Sequence, residues 1–177
     1  LLMVMSGLEP ATAGKVLLDG QDLTGRSEED LARLRREMIG IVFQAFHLIP
    51  TLTAIENVMI PLEFRGLPDA AERAHKALQR VGLSHRLDHY PGQLSGGEQQ
   101  RVAIARALAA GARILLADEP TGNLDQDTGQ AIIDLLFELK AKDGTTLLLV
   151  THDRSLAARC DRIVEVRDGK VSEGKRA

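Results

Sequence analysis

The chain has 177 residues, of which 44% are hydrophobic and 27% charged, and this is enough for one domain with a sizeable core. A net charge of −3 offers no basic field to nucleic acid. The single cysteine, Cys160, excludes an intramolecular disulfide, as is usual in a reducing cytosol. The apolar runs are far shorter than the roughly 20 residues that cross a bilayer.

The first third of the chain predicts a strand, a helix and a second strand. Residues 15–19 (KVLLD) predict a short strand. Residues 27–38 predict a helix, because Ser27 and Asp30 resemble a capping box and apolar residues recur on one face. Residues 41–43 (IVF) predict the next strand.

The middle of the chain predicts helices on either side of a loop. Between residue 45 and about residue 67 the pattern is mixed, because it contains the helix breakers Pro50, Pro61 and Gly66 and is followed by Pro68. Residues 69–81 predict an amphipathic helix that Gly82 closes. A further helix is expected to begin after Ser95, where Glu98 completes a capping box.

The last third of the chain alternates strands and helices. Residues 114–117 (ILLA) are continuously apolar, which is typical of a strand buried on both faces of a parallel sheet. The segments that follow predict a helix, a second fully buried strand, a short helix, a third strand and a final edge strand (residues 126–142, 145–153, 155–160, 162–166 and 170–174). This alternation predicts an α/β fold.

The glycine pair behind Ser95 marks a candidate anion site. Free backbone N–H groups point out of a helix start, and the helix dipole favours negative charge there. Gly96 and Gly97 leave room for a phosphate to approach the main chain. The structural alternative is an ordinary capped helix after a loop, and these residues alone leave both interpretations open.

Polar side chains also follow the predicted strands. Asp118 and Glu119 end one strand, Gln44 ends another and His152 ends a third. One acid at such an edge can hold Mg²⁺, and the next can take a proton from water. Taken singly, these residues fit a solvated turn or a structural histidine, and Asp125 fits a helix N-cap. Together they indicate phosphoryl chemistry with a metal.

The order and spacing of these motifs resemble the ATPase subunits of ABC transporters. IVFQ resembles the Q-loop, LSGGEQQ the signature, ILLADE the Walker B strand, TGNLD the D-loop and THD the switch histidine. GLEPATAGKVLLDG and RIVEVRDGKVSEG extend the resemblance to both ends. RREMIGIVFQAFHLIPTLTAIENVMIPL is most similar to the lipoprotein-release and macrolide-export branch of bacterial transporters.

The resemblance implies a P-loop NTPase-like (RecA-like) α/β core with an inserted helical subdomain. The core would comprise residues 1–44 and 110–177, and the subdomain residues 45–109. The resemblance also implies pairing of two ATPase subunits, as a homodimer or with a related subunit, at the cytoplasmic face of the bacterial inner membrane. A permease would dock in a groove near residues 47–58. The alternative for that apolar segment is plain core packing.

The implied cofactors are ATP and Mg²⁺, bound at sites shared between two subunits. Residues of the signature would bind the γ-phosphate of ATP held by the other subunit: Ser95, Gly96, Gly97 and Gln99. The glycines would then face a nucleotide across the interface. These contacts are implied by the resemblance and not by the residues themselves.

The resemblance also implies catalytic roles at the strand ends. Asp118 would coordinate Mg²⁺ through water, and Glu119 would be the general base. Gln44 would sense the magnesium ion and the attacking water. His152 would contact the γ-phosphate, and Asp125 would link the two sites across the dimer.

One element of the family pattern is missing from the 177 residues. The family's phosphate loop, which ends Gly-Lys-Ser/Thr, would come directly before Leu1, and its backbone N–H groups and lysine cradle the phosphates. The strand before that loop and the aromatic residue that stacks on adenine are missing too. We therefore expect a longer natural chain, and we expect the 177 residues alone not to hydrolyse ATP.

Other classes of protein share these motifs. ABC-type ATPases of DNA repair carry long coiled coils, but the interval between Gln44 and Ser95 is short and has no heptads. Translation-factor types carry two cassettes in one chain, whereas this chain has one. A non-hydrolysing cassette or interaction module is favoured by the missing loop and opposed by the presence of Asp118, Glu119 and His152.

Overall fold

The computed structural model describes residues 1–174, which form a mixed α/β fold. Residues 175–177, the end of the predicted core segment, lie outside the described residues. The elements in chain order are α1 (Leu2–Met5), β1 (Leu17–Leu18), β2 (Gln21–Asp22), α2 (Glu28–Met38), β3 (Ile39–Val42), α3 (Ala54–Phe64), α4 (Ala70–Arg80), a 3₁₀ turn (Pro91–Gln93), α5 (Gly96–Ala109), β4 (Ile114–Asp118), α6 (Gln126–Asp143), β5 (Thr146–Val150), α7 (Arg154–Ala157), β6 (Val164–Arg167) and β7 (Lys170–Glu173).

A parallel sheet of three strands lies at the centre, in the order β3-β4-β5. Ile39 pairs with Ile114 at one end of the first ladder, and Asp118 pairs with Val150 at the far end of the second. Because all three strands run in the same direction, their carboxyl ends meet at one edge. The α/β prediction is confirmed.

The main core lies between this sheet and the long helices. On α6, Ile132, Ile133, Leu136 and Leu139 are buried, as their helical spacing predicts. On α5, Val102, Ile104 and Ala105 are buried in the same cluster. α5 contacts β3, α6 and the two helices before it, so it ties the helical middle of the chain to the sheet.

α3 occupies the segment in which the sequence pattern is mixed. Thr53 and Glu56 form a capping box at its start, and Val58 and Leu62 are fully buried against α4 and α5. Pro61 lies inside the helix, where it lacks the N–H that would continue the ladder. Burial of the apolar face offsets this loss, and tertiary packing overrides the breaker signal.

The buried amide of Asn57 fixes the loop before α3. Its Oδ1 accepts from the Ile49 N–H (2.8 Å), and its Nδ2 donates to the carbonyls of Leu52 (3.0 Å) and Thr53 (2.9 Å). A fully buried amide that satisfies several backbone groups holds a loop in one conformation.

The prediction that the strand near residue 146 is fully buried is wrong. β5 is half-buried at Leu147, Leu148 and Leu149 and exposed at both ends. It lies at the edge of the three-stranded sheet, so one of its sides lacks a neighbouring strand within the described residues. The later strand β6 is exposed along its length and, within residues 1–174, pairs only with β7.

Two hairpins flank the main sheet. β1 pairs antiparallel with β2 through Asp19–Gly20, and β6 pairs with β7 through Asp168–Gly169. All four turn residues have positive φ, as a two-residue type I′ turn requires. Among residues 1–174, none of the helices combines the length and the apolar character needed to cross a membrane.

Candidate functional site

The carboxyl edge of the parallel sheet collects the polar residues that the sequence predicts there. Asp118 ends β4 and Glu119 follows it, while Gln44 and His152 each lie two residues beyond the ends of β3 and β5. Asp118 and Glu119 are half-buried, whereas Gln44 and His152 are exposed. The fold therefore brings four of the predicted site residues to one edge.

Glu119 and His152 are hydrogen-bonded at this edge and form an ion pair when the imidazole is protonated. Glu119 Oε1 lies 2.7 Å from His152 Nδ1 and accepts the His152 backbone N–H at 3.1 Å. The Glu119 backbone N–H donates to the Val150 carbonyl at 3.0 Å, which extends the ladder beyond the strand. Glu119 has a φ of +44°, a conformation that non-glycine residues rarely adopt. Such backbone strain often occurs at functional sites.

The carboxylate raises the pKa of the His152 imidazole above its ordinary value. The hydrogen bond to Glu119 is the main cause, and the charge of the same carboxylate adds to it. The His152 side chain is 86% exposed, so solvent screens the effect. His152 therefore stays protonated to a higher pH than an isolated histidine.

Replacement of Glu119 by glutamine should lower the pKa of His152 towards its ordinary value. The pair contributes stability below the ordinary histidine pKa, and this contribution is lost as the pH rises through the raised one. The His152 ring protons, followed by NMR from pH 5 to pH 9, report the shift. Glu72→Gln, an exposed change on α4, is the matched control and should not move the His152 curve. Superimposable curves for Glu119→Gln and the parent protein would contradict the assignment.

Gln44 is held against the loop that follows β4. The Asn123 Nδ2 donates to the Gln44 carbonyl at 2.9 Å, and the Gln44 Nε2 donates to Asn123 Oδ1 at 3.4 Å. A Cβ on Gly122 would lie 2.5 Å from the Gln44 Nε2, so glycine allows this close approach. Sequence reasoning missed Asn123, although it lies inside the quoted TGNLD motif.

The start of α5 has the predicted capping box. The Ser95 Oγ accepts the Glu98 N–H at 3.2 Å, and Glu98 Oε2 accepts the Ser95 N–H at 2.8 Å. Gln99 donates from its Nε2 to the Leu94 carbonyl at 3.1 Å. Ser95 is exposed, so this helix start faces solvent.

The two glycines at the start of α5 also have close neighbours within the chain. A Cβ on Gly97 would lie 2.5 Å from the Thr128 Cγ2 on α6, and a Cβ on Gly96 would lie 3.1 Å from the Leu124 Cδ2. Gly97 is buried. Packing of α5 against the loop and the start of α6 is therefore enough to require glycine at position 97.

Asp125 is the N-cap of α6, which confirms the structural interpretation of that residue. Its Oδ1 accepts the Thr128 N–H at 3.0 Å, and this bond is the main cause that lowers the pKa of the Asp125 carboxyl. Because Thr128 is also the neighbour of Gly97, the starts of α5 and α6 adjoin.

In residues 1–174 no hydrogen bond or ion pair joins Ser95 or Gln99 to Glu119 or His152. The loop after β4 lies between the two groups. It contacts Gln44 through Asn123, and its Pro120 carbonyl accepts from the Nε2 of the fully buried Gln100 at 2.6 Å.

The oxygen donors at the sheet edge suit a hard cation that also binds phosphate. Residues 1–174 hold no cluster of three acidic, histidine or cysteine side chains that could bind a metal by themselves. Mg²⁺ commonly takes one or two carboxylates and completes its shell with water and substrate phosphates. Asp118 and the amide oxygen of Gln44, at the ends of neighbouring strands, fit such a partial shell.

Comparison with known proteins gives consistent matches. The family model described as ABC transporter matches residues 1–122. The ABC transporter ATP-binding protein YbbA of Escherichia coli K12 is 53% identical over 98% of this chain and 77% of its own length. The lipoprotein-releasing system ATP-binding protein LolD of Syntrophus aciditrophicus is 48% identical over 95% of this chain and 76% of its own length.

Two further matches are an ATP-binding/permease protein and a solved structure. The macrolide export ATP-binding/permease protein MacB of Brucella melitensis is 48% identical over 97% of this chain, which spans 27% of that protein. A dimeric post-hydrolysis structure of the ATP-binding cassette MJ0796 bound to ADP and Pi superimposes with a TM-score of 0.86. It is 42% identical, over 97% of this chain and 78% of that one.

Proposed function

The chain belongs to the ABC transporter family as an ATP-binding subunit, and we propose that it hydrolyses ATP to drive a membrane permease. The observation that carries this proposal is the hydrogen-bonded pair of Glu119 and His152 beside Asp118, at the carboxyl edge of a parallel sheet. Open α/β sheets bind ligands at that edge.

Glu119 is the proposed general base. Its carboxylate is 25% exposed, which lets water reach it while the surrounding protein holds its position. A carboxylate in that setting can orient a water molecule and accept its proton as the water attacks the γ-phosphate. His152 is mostly exposed and readily protonated, so it can donate to a terminal phosphate oxygen.

In the proposed site, Asp118 holds Mg²⁺ through a water molecule, and Gln44 contacts the ion and the attacking water. The bound ion would neutralise charge on the phosphate oxygens. The contact between Gln44 Nε2 and Asn123 fixes the direction of the amide and leaves its oxygen as the atom that can serve a metal or a water. The loop after β4 therefore supports the position of Gln44.

ATP would lie between two subunits, paired as a homodimer or with a related subunit. Ser95, Gly96, Gly97 and Gln99 of one subunit would bind the γ-phosphate of ATP held by the other, and Asp125 would link the two sites. Within residues 1–174 no hydrogen bond or ion pair joins the α5 start to Glu119 or His152. This supports the arrangement, because a partner can bring the two groups together. The cassette MJ0796 is dimeric with ADP and Pi, which supports the same pairing.

Residues 45–109 are the proposed helical subdomain, which would dock the permease near residues 47–58. A groove of about 830 Å³ lies between α2, β3, α3 and α5, with His47, Ile49 and the 72%-exposed Phe64 at its lining. Arg106 donates to the carbonyls of Phe46 (2.8 Å) and His47 (2.6 Å) and so fixes this rim. The name of MacB includes a permease, which supports a permease partner. With that partner, the chain would act at the cytoplasmic face of the inner membrane.

A polypeptide of these 177 residues alone should show no ATP turnover above background, because it holds no Gly-Lys-Ser/Thr phosphate loop. A chain in which such a loop, the strand before it and the adenine-stacking aromatic residue precede Leu1, called here the loop-bearing chain, should hydrolyse ATP. Phosphate release by both polypeptides, with Mg²⁺ and with EDTA, checks this. Turnover by the 177 residues would contradict the first expectation. Inactivity of the folded loop-bearing chain would favour the non-hydrolysing interaction module.

A further inference from the structure

A carboxylate lies at the helix start that faces the proposed phosphate. Glu98 is in the first turn of α5, directly after Gly96 and Gly97. Its Oε2 accepts the Ser95 N–H, and this bond is the main cause that lowers the pKa of the Glu98 carboxyl. Glu98 therefore carries a negative charge at neutral pH, in the same helical turn as the backbone groups that would meet ATP.

That charge opposes the binding of a polyphosphate at the same place. A carboxylate near a helix start satisfies the dipole by itself, and an incoming anion must then compete with it. Like charges a few ångströms apart repel each other even in a watery environment. The start of α5 can receive a polyphosphate well only if another group neutralises Glu98.

Arg86 supplies the opposite charge from a neighbouring loop. Its Nε donates to Glu98 Oε1 at 2.9 Å, while a second guanidinium nitrogen donates to His89 Nε2 at 3.1 Å. The Arg86 side chain is 37% exposed and that of Glu98 is 22% exposed, so solvent screens the pair only in part.

The loop that carries Arg86 is itself anchored. The carbonyls of Leu87 and His89 accept the first N–H groups of α3, from Ile55 (3.0 Å) and Ala54 (2.8 Å). The Arg86 N–H donates to the Leu83 carbonyl at 3.0 Å, which closes the turn after α4. Arg86 therefore approaches Glu98 from a fixed backbone.

We propose that Arg86 is a positioning residue for ATP binding, which neutralises Glu98 and holds it in the capping box so that the γ-phosphate can reach Ser95 to Gly97. This inference rests on the proposed function. Arg86 acts through Glu98 and is given no contact with the nucleotide.

The test is a rescue in the loop-bearing chain. Arg86→Ala should raise the KM for ATP roughly three- to tenfold, because an unbalanced carboxylate then repels the phosphate. The kcat at saturating ATP should stay within about twofold, since Arg86 takes no part in the chemical step. Addition of Glu98→Gln to the Arg86→Ala chain should restore most of the affinity. Added salt should reduce the difference in KM between Arg86→Ala and the parent, because it screens the repulsion.

Two controls separate charge from folding. Arg33→Ala removes an exposed i,i+3 ion pair on α2 and should leave the KM unchanged. Thermal unfolding reports whether Arg86→Ala remains folded. An unchanged KM for ATP in Arg86→Ala would overturn the inference. A KM in the double variant as high as that of Arg86→Ala would overturn it too. If the folded parent chain neither binds nor hydrolyses ATP, the proposed function itself fails.

Discussion

Glu119→Gln in the loop-bearing chain should lower the kcat for ATP by roughly 10²- to 10⁴-fold, the usual contribution of a positioned general base. The glutamine keeps the shape of the side chain and its contact with His152 but cannot accept a proton from water. ATP affinity should be retained, because Glu119 is proposed to act on the water rather than on the nucleotide.

Steady-state phosphate release and equilibrium binding of a fluorescent ATP analogue measure the two effects separately. Glu72→Gln makes the same chemical change on the exposed face of α4 and should keep full activity. Turnover within about threefold of the parent in Glu119→Gln would contradict the assignment of the base.

Gly40→Ala should destabilise the fold by about 3 kcal/mol, near the upper end of the range for overpacking. A Cβ at Gly40, in β3, would lie 2.9 Å from the Ala107 carbonyl carbon and closer still to its oxygen. These are backbone atoms of α5, so the helix as a whole must move away from the sheet. Urea unfolding, followed by circular dichroism, measures the loss in the free energy of unfolding.

Gly97 provides the contrast that tests this explanation. Its added Cβ would meet the Thr128 Cγ2, a single methyl group. Thr128→Ser should therefore recover most of the stability lost in Gly97→Ala, whereas Ala107→Gly should not rescue Gly40→Ala. Gly92→Ala, where a Cβ meets nothing within 4 Å, is the control and should be nearly neutral. Rescue of Gly40→Ala by Ala107→Gly would contradict the proposed backbone clash.

The elements with strong local signals were predictable from the sequence. Ser95 and Glu98 cap α5, Asp125 caps α6, and the buried face of α6 follows a helical period, so local chemistry and burial agree there. The placement of polar residues at the ends of β3, β4 and β5 follows from the parallel order of the strands.

Other features depend on contacts between distant parts of the chain. α3 forms although Pro61 lies inside it, because burial against α4 and α5 outweighs the missing hydrogen bond. The partial exposure of β5 could not be inferred, since an apolar run is the same in a central strand and in an edge strand. The partner strand β2 was missed, although Asp19–Gly20 is a recognised type I′ hairpin signal.

The supporting contacts of the site were the hardest to foresee. The hydrogen bonds between Gln44 and Asn123 and the packing of Gly97 against Thr128 join segments far apart in sequence. The positive φ of Glu119 is a local feature that its residue type does not favour. Sequence motifs identified the residue types, whereas only the fold shows which neighbours orient them.

The most direct test is the mass of the Glu119→Gln loop-bearing chain with and without ATP, by sedimentation or light scattering. Our proposal predicts a monomer without nucleotide and a dimer with ATP and Mg²⁺. It further predicts that Ser95→Ala weakens that dimer without loss of the fold. A protein that stays monomeric at saturating ATP would contradict a shared ATP site. A dimer that forms equally well with and without nucleotide would contradict it too.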